Sequence, residues 1–318
     1  MRAGTFSTRR GAPRPTSPRS RPITLAITFL PMKLLHGTLN RDPQVLARFK
    51  QEARSAARIR HPHIVEIYDF GTTSAGEVFL VMELLQGKSL SRLFRMYEQG
   101  QISEAPFRGI PSTRAVDILS QVCDAVEAAH LAGVTHRDLK PDNVMVLPRA
   151  RPEPGTSELI IKVLDFGIAK LLDREGEQGA LRTQTGATMG TPSYMSPEQF
   201  GTAHKADARA DVYALGVLLF EALAGRLPFV SEDVGEVMVM HRRDAPPSLQ
   251  QLRPRLSPRL TSLVHAMLAK TPAERPAMAE VAEALQDLLN RSAPAEAPRA
   301  ALTADAPQSW ALHADAPL

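Results

Sequence analysis

Eight consecutive residues, His136 to Asn143, carry an unusual density of chemically active side chains. In the order His-Arg-Asp-Leu-Lys-Pro-Asp-Asn they supply an imidazole, a guanidinium, an ammonium, two carboxylates and an amide. Pro141 cannot continue a regular helix, because its ring removes a backbone donor and clashes with the preceding turn. We therefore expect a loop, on which flanking apolar segments can aim the charged groups at one substrate.

This segment resembles the catalytic loop of protein kinases, and its Lys140 is the form typical of serine/threonine kinases. The resemblance implies that Asp138 accepts the proton of the substrate hydroxyl and that Lys140 neutralises the transferring phosphate. It also implies that Asn143 ligates one Mg²⁺ ion and that His136 has a structural role in the loop.

A second motif, Asp165-Phe166-Gly167, follows the apolar run from 159 to 164, which predicts a buried strand. Asp165 lies 27 residues after Asp138. The resemblance implies that Asp165 is the second magnesium ligand, and that Phe166 and Gly167 are structural. A carboxylate and an amide oxygen are ligands that Mg²⁺ prefers.

Lys33 and Glu52 are 19 positions apart, the first at the end of a predicted strand and the second within the helix that follows. This spacing resembles that of the kinase strand lysine and its helix glutamate, which orient the α and β phosphates of ATP. The alternative interpretation is that both are ordinary surface charges.

The segment Met82-Glu83-Leu84-Leu85 resembles the hinge between kinase lobes, whose backbone binds adenine. Met82 would be the gatekeeper, although a methionine there is equally suited to fill the core beside a strand. The nucleotide-contacting residues implied by the resemblance are Met82, Glu83, Leu85 and Met145.

The segment from Gly190 to Glu198 resembles the end of the kinase activation segment, with Ser196 where alanine is usual. The resemblance implies that Glu198 pairs with Arg275 and that Asp211 holds the backbone of the catalytic loop. The structural residues so implied in and around this segment are Thr191, Glu198, Asp211 and Arg275.

Regulation is suggested by Arg137, because a guanidinium beside the catalytic aspartate favours a nearby anion. A phosphothreonine at Thr183 or Thr185 would supply two negative charges. The position of these threonines resembles that of the autophosphorylated threonines in bacterial kinases. The alternative is that these are merely exposed loop threonines.

The elements that must position these residues predict an α+β fold with two lobes. A small β-sheet N-lobe with one helix spans 23–85, and a larger, mainly helical C-lobe spans 86–290; together they form a protein kinase domain. Residues 1–22 form a basic segment and 291–318 an Ala/Pro-rich tail, both expected to be disordered. The predicted strands are 23–35, 64–68, 78–83 and 159–164, and the main predicted helices are 42–58, 113–132, 211–224, 258–268 and 278–289.

Composition excludes several other classes of protein. The chain has 318 residues, a pI near 9.4 and a formal charge of only +4, with six arginines within 1–22, so nucleic-acid binding is not indicated. No apolar run is long enough to span a bilayer. The single cysteine, Cys123, suits a reducing compartment, and we expect a cytoplasmic protein. His61 and His63 stand without further ligands at metal-site spacing.

The N-terminal region departs from the family pattern. Only Gly4 and Gly11 precede Lys33, so the glycine-rich loop that covers the phosphates in kinases cannot be drawn, and the N-lobe is expected to be truncated. Pro31 would also remove a backbone donor from an internal strand. Genuine truncation, a misplaced start and a frameshift all remain open.

The first interpretation is a bacterial serine/threonine protein kinase that uses ATP and Mg²⁺ to phosphorylate protein hydroxyls and its own activation loop. A dimer could carry out this autophosphorylation. The alternative is a pseudokinase or interaction module with weak or no transfer, which the absent glycine loop favours. A small-molecule kinase is disfavoured, because such enzymes lack the peptide platform formed by residues 190–198.

Overall fold

The structure is a computed structural model. It describes residues 31–35, 54–55, 57–73, 78–102, 109–150, 152, 156–166, 192–200 and 207–292. The predicted terminal segment 1–22 lies outside these residues, as do the predicted strand from 23 to 30 and most of the predicted helix from 42 to 58. Of the predicted tail, 291–318, only residues 291 and 292 are described, and they end the last helix. Arg54, Ser55 and Ala57 of that helix are described and are helical.

The described part of the N-lobe contains a three-stranded antiparallel sheet in the order β1-β3-β2. Its strands are β1 (Met32–Leu35), β2 (Ile67–Thr72) and β3 (Val78–Met82). Val78 and Leu80 of the central strand are buried, so one face of the sheet packs on the core. Pro31 precedes β1 and its carbonyl accepts from Met82 N at 3.3 Å, so the proline does not interrupt the ladder as its position in the sequence suggested.

A second three-stranded sheet consists of β4 (Lys88–Ser89), β5 (Val144–Pro148) and β6 (Leu159–Val163). The last residue of strand β6, Val163, joins this sheet to residues 63–65, which lead into strand β2 of the first sheet. Val163 N donates to His63 O at 2.8 Å, and Val65 N donates to Val163 O at 3.0 Å. The chain immediately after β6 is therefore fixed against both lobes.

Helices make up most of the C-lobe. They are α1 (Leu90–Glu98), α2 (Ser112–Leu131), α3 (Ala208–Ala224), α4 (Val234–Arg243), α5 (Leu249–Leu252), α6 (Pro258–Met267) and α7 (Met278–Ser292). Helix α3 is buried on nearly every side, as its largely apolar sequence predicts. Gly216 permits close packing there, since a Cβ atom would lie 2.9 Å from Met267 Cβ. The helix ends at Gly225, whose φ of 70° is left-handed.

Two local predictions were wrong. The Pro/Arg/Glu-rich composition between Asn143 and Ile160 predicts an exposed loop, but residues 144–148 form β5, which pairs antiparallel with β6. Beyond the paired residues, Arg149 N donates to Glu158 O at 2.8 Å. The strand expected at 64–68 lies instead at 67–72. His61 O accepts from Ile64 N at 3.1 Å in a turn, so the strand begins only after this turn, at Ile67.

Candidate active site

The catalytic loop, residues 136–143, connects helix α2 to strand β5. Helix α2 is followed by Gly133, whose φ of 75° turns the chain back toward the core. The loop closes in a single 3-10 turn at Pro141–Asn143, where Asn143 N donates to Lys140 O at 3.0 Å. Pro141 opens this turn and excludes a regular helix, as expected.

Asp138 is held by two neighbours in the same loop. Its Oδ2 atom accepts from Lys140 Nζ at 2.8 Å and from Asn143 Nδ2 at 3.2 Å. Asn143 Nδ2 also donates to the Asp138 carbonyl at 2.8 Å. The side chains of Asp138 and Lys140 are 17% and 23% exposed. Since both bonds involve Oδ2, the Oδ1 atom of Asp138 remains for an incoming hydroxyl group.

Asp211 joins the catalytic loop to the buried helix α3. Its side chain is 1% exposed and accepts from His136 N at 2.8 Å, from Arg137 N at 2.7 Å and from His130 Nε2 at 2.8 Å. Arg137 has a φ of 63°, a left-handed conformation that is costly for a residue with a side chain. The bond from its amide to Asp211 helps to hold that conformation.

His136 connects the catalytic loop to the segment after β6. Its Nδ1 accepts from Asp138 N at 3.2 Å and its Nε2 therefore carries the proton that it donates to Leu164 O at 2.8 Å. The imidazole also lies 4.8 Å from the ring of Phe166, which is 3% exposed. One buried ring thus positions both motifs.

Asp165 lies directly beside the catalytic loop, because Leu164 N donates to Asn143 O at 2.8 Å. Asp165 has a φ of 54°, the other left-handed non-glycine residue in the described chain. Asn143 uses its amide nitrogen on Asp138, so its amide oxygen remains as a ligand atom. A carboxylate and an amide oxygen in adjoining segments form a donor set that fits Mg²⁺.

The hinge carries an ion pair that the sequence reasoning did not find. The Glu83 carboxylate accepts from Lys162 Nζ at 2.6 Å and from Glu66 N at 2.8 Å, and Glu83 N donates to Glu66 O at 3.0 Å. Lys162 is on β6, three residues before Asp165, and also donates to Ile64 O at 3.2 Å. Lysine and glutamate 79 residues apart gave no pattern in the sequence from which the contact could be inferred.

The other hinge residues line the same junction between the two sheets. Met82 ends strand β3, and Met145 pairs with Lys162 in the ladder of β5 and β6. Met82, Leu85 and Met145 are all half-buried, whereas Leu84 is 59% exposed. The segment therefore lies between the lobes, where the resemblance to kinases placed it.

Residues 192–200, here called the platform, follow a stretch that lies outside the described residues. The platform contains two 3-10 turns, Pro192–Tyr194 and Pro197–Phe200. Arg275 fixes it with two parallel bonds from its guanidinium to Glu198, at 2.7 and 2.8 Å. Burial alone would raise the pKa of Glu198, but the hydrogen bonds and charge of Arg275 lower it below the usual value.

The Arg275 guanidinium is fully buried and uses its remaining donors on backbone carbonyls. These acceptors belong to Ala269, Arg209 and Lys270, at 2.8, 2.9 and 3.1 Å. Every donor that faces the protein is thereby satisfied, which a buried cation requires. The pair ties the platform to helix α3 and to the turn before α7.

A second platform contact joins Tyr194 to helix α3. Tyr194 Oη donates to Glu221 Oε2 at 2.6 Å. Burial raises the pKa of Glu221 to about 7, and burial also raises the pKa of Tyr194. The sequence offered only an interrupted apolar helix at Glu221, so this contact was also missed.

Some predicted site residues cannot be placed. Lys33 pairs with Leu80 in the ladder of β1 and β3, and nothing further is described of its side chain. The remaining predicted residues outside the described chain are Glu52, Gly167, Thr183, Thr185 and Thr191. Among the residues that are described, no group of three or more His, Cys, Asp or Glu side chains could hold a metal ion, and His63 instead contacts Ile161 O at 3.1 Å.

The loop, the Asp165 segment, the hinge and the platform together define the fold and site of a protein kinase. Residues 32–286 match the family model described as the protein kinase domain, and the chain belongs to this family. The expected α+β, two-lobed fold is confirmed. Proteins of this family generally use ATP and Mg²⁺. Within the described part of the chain, no helix is long and apolar enough to cross a membrane.

Two bacterial proteins illustrate the relationship. The chain is 41% identical over 255 residues to the serine/threonine-protein kinase pkn3 of Myxococcus xanthus, a match that covers 80% of this chain and 44% of that protein. It is 36% identical over 248 residues to PknA of Mycobacterium tuberculosis, covering 77% and 51%. The chain therefore spans about half the length of these relatives, or less.

Among solved structures, the kinase domain of PknI from Mycobacterium tuberculosis is similar, with a TM-score of 0.57 and 26% sequence identity. The match covers 80% of this chain and 84% of that one.

Proposed function

We propose that this chain is a bacterial serine/threonine protein kinase that transfers the γ-phosphoryl group of ATP to hydroxyl groups of proteins. The observation that carries the proposal is that the side chains of Lys140 and Asn143 both donate to the Asp138 carboxylate within one partly buried loop. The names of the relatives, all serine/threonine-protein kinases at 36–41% identity, support the same activity.

In this proposal Asp138 orients the attacking hydroxyl and accepts its proton through Oδ1. Lys140, which lies 2.8 Å from Asp138 Oδ2, neutralises charge on the transferring phosphate and keeps the carboxylate oriented. Positioning and electrostatics of this kind supply most of the catalysis in phosphoryl transfer, because the protein performs little covalent chemistry.

Asn143 and Asp165 would hold Mg²⁺, and Lys33 with Glu52 would orient the α and β phosphates of ATP. Bound Mg²⁺ neutralises the charge that develops on the phosphate oxygens. The hinge residues Met82, Glu83 and Leu85, together with Met145, would bind adenine.

We further propose regulation by phosphorylation of Thr183 and Thr185, whose negative charge would meet Arg137. A dimer would serve this autophosphorylation. Protein substrates and a cytoplasmic location fit an ATP-dependent enzyme whose single cysteine, Cys123, is buried as a thiol.

Intact-mass analysis before and after incubation with Mg²⁺ and ATP tests the proposal. The parent chain should gain phosphate, mapped to Thr183 or Thr185. Asp138→Asn should gain none, because the variant lacks the carboxylate base, and it should fold as the parent does, because the side-chain volume hardly changes. Asp287→Asn, the same change at an exposed site on α7, is the matched control and should behave as the parent. Equal phosphorylation of Asp138→Asn would remove Asp138 from the mechanism.

Nucleotide binding distinguishes the remaining outcomes. A ligand at a hundredfold excess over its dissociation constant stabilises the folded state by about 2.7 kcal/mol. Thermal stabilisation by ATP and Mg²⁺ without any phosphate transfer to the chain or to a test protein would favour the pseudokinase alternative. If ATP and Mg²⁺ cause neither thermal stabilisation nor phosphate transfer, that result would contradict the assignment of an ATP-dependent function.

A further inference from the structure

The side-chain amide of Gln199 joins the platform directly to the catalytic loop. Its Nε2 atom donates to the Arg137 carbonyl at 2.9 Å, across 62 positions of sequence. Its Oε1 atom accepts from Ser196 N at 3.0 Å and from Ser196 Oγ at 3.1 Å. The resemblance to kinases gave no role to either residue, apart from noting that Ser196 stands where alanine is usual.

The orientation of this amide is fixed by its partners. A backbone N–H can only donate, so the atom facing Ser196 N must be the oxygen of Gln199. A carbonyl can only accept, so the atom facing Arg137 O must be the nitrogen. Ser196 is fully buried, and its position is fixed further by the bond from Gln199 N to Ser196 O at 3.0 Å.

The bond matters because of where the Arg137 carbonyl lies. Arg137 precedes Asp138 and has a φ of 63°. Its amide donates to Asp211 at 2.7 Å, and its carbonyl accepts from Gln199. The left-handed residue is therefore held at both ends, by helix α3 on one side and by the platform on the other. Rotation of its carbonyl would turn the next residue, Asp138.

We propose that Gln199 is a positioning residue that fixes Asp138 relative to the platform through the Arg137 carbonyl. The proposal rests on the proposed kinase function, in which the platform supports the peptide and Asp138 meets its hydroxyl. Gln199 acts on the protein acceptor side of the reaction, so its loss lowers kcat and leaves the KM for ATP unchanged.

Substitutions at Gln199 separate this role from a purely structural one. Gln199→Glu keeps the size and the acceptor for Ser196 but cannot donate to Arg137 O, and Gln199→Leu removes the donor without adding charge. Both should lower kcat about 10- to 100-fold, the range expected when a catalytic group is slightly misplaced, with the KM for ATP within twofold of the parent. Gln251→Glu, the same change at an exposed glutamine on α5, should behave as the parent.

Ser196→Ala completes the comparison, because it removes the hydroxyl donor and leaves both the Ser196 amide and the bond from Gln199 to Arg137. Its loss of kcat should be smaller than that of Gln199→Glu. If Gln199 merely stabilised the turn at 197–200, Gln199→Glu would keep parental kcat while Gln199→Leu lost it, and that result would overturn the proposal.

Amide hydrogen exchange provides a measurement that does not depend on turnover. The Arg137 and Asp138 amides should exchange at least about tenfold faster in Gln199→Glu and Gln199→Leu than in the parent, while amides in α7 remain unchanged. Unchanged exchange at these two amides would refute the positioning role even in a parent that transfers no phosphate. An inactive parent with faster exchange in the variants would refute the kinase function alone.

Discussion

Replacing Asp211 with asparagine should unfold the chain at a lower temperature and impair phosphate transfer together. The substitution keeps the shape of the side chain but replaces one carboxylate oxygen with an NH₂ group. The remaining oxygen can satisfy the two donors that now share Oδ2, His136 N and His130 Nε2. The NH₂ group would then face Arg137 N, which donates to Oδ1 at 2.7 Å.

The magnitude follows from that lost contact. A hydrogen bond to a charged group contributes about 1.5–3 kcal/mol, and Asp211 is 1% exposed, so water cannot replace the acceptor. For a domain of this size, each kcal/mol lowers the melting temperature by about 2–4 °C. We therefore expect a decrease of roughly 3–12 °C. Transfer should fall at least tenfold, because the freed Arg137 peptide directly precedes Asp138.

Thermal unfolding followed by circular dichroism gives the first value, and phosphate incorporation at saturating ATP gives the second. Asp207→Asn is the matched control, because Asp207 is the exposed N-cap of the same helix and asparagine caps helices equally well. A melting temperature for Asp211→Asn within about 1 °C of both the parent and Asp207→Asn would refute the argument that this carboxylate anchors the loop.

Two other changes test contacts that the sequence did not reveal. Lys162→Met leaves Glu83 without its ammonium partner at 2.6 Å, and calorimetric titration should show weaker ATP binding. Adding Glu83→Gln to this variant should weaken binding little further. Additive losses would instead show that the two residues act independently. Burial raises the pKa of Glu221 to about 7 from a reference of 4.5, so the folded chain binds a proton that the unfolded chain releases. Stability should therefore fall by about 3 kcal/mol as pH rises from 4.5 through 7; Glu221→Gln should flatten this dependence in melting curves, and an unchanged slope would contradict the assignment.

The sequence predicted those parts of the site that depend on adjacent residues. The order of side chains from His136 to Asn143 was enough to predict a loop with convergent polar groups, and the apolar run before Asp165 predicted strand β6 nearly to the residue. Helix α3 was predicted because an apolar segment ending at Gly225 has few alternatives. These are local signals, and local signals can be read from a single chain.

Contacts between distant segments could not be predicted in the same way. Glu83 and Lys162 each read as a solvated charge, and only the meeting of two sheets at the end of β6 makes them partners. The left-handed φ at Arg137 has no signal in residue type, and aspartate at 165 gives only a weak one. Such conformations are imposed by partners far away in sequence, which is why their energetic origin is visible only in the fold.

The two anchors of Arg137 differ in kind, and under the proposed kinase function this difference determines how the catalytic loop would respond to a protein substrate. Asp211 belongs to a helix buried on nearly every side, whose position is fixed by close packing at Gly216. Gln199 belongs to a short 3-10 turn whose side chains are half-buried. A peptide on the platform can therefore displace Gln199 more readily than Asp211. The Arg137 carbonyl would move with Gln199, whereas the Arg137 amide would stay bonded to α3. Any such displacement would therefore rotate the backbone peptide group between Arg137 and Asp138.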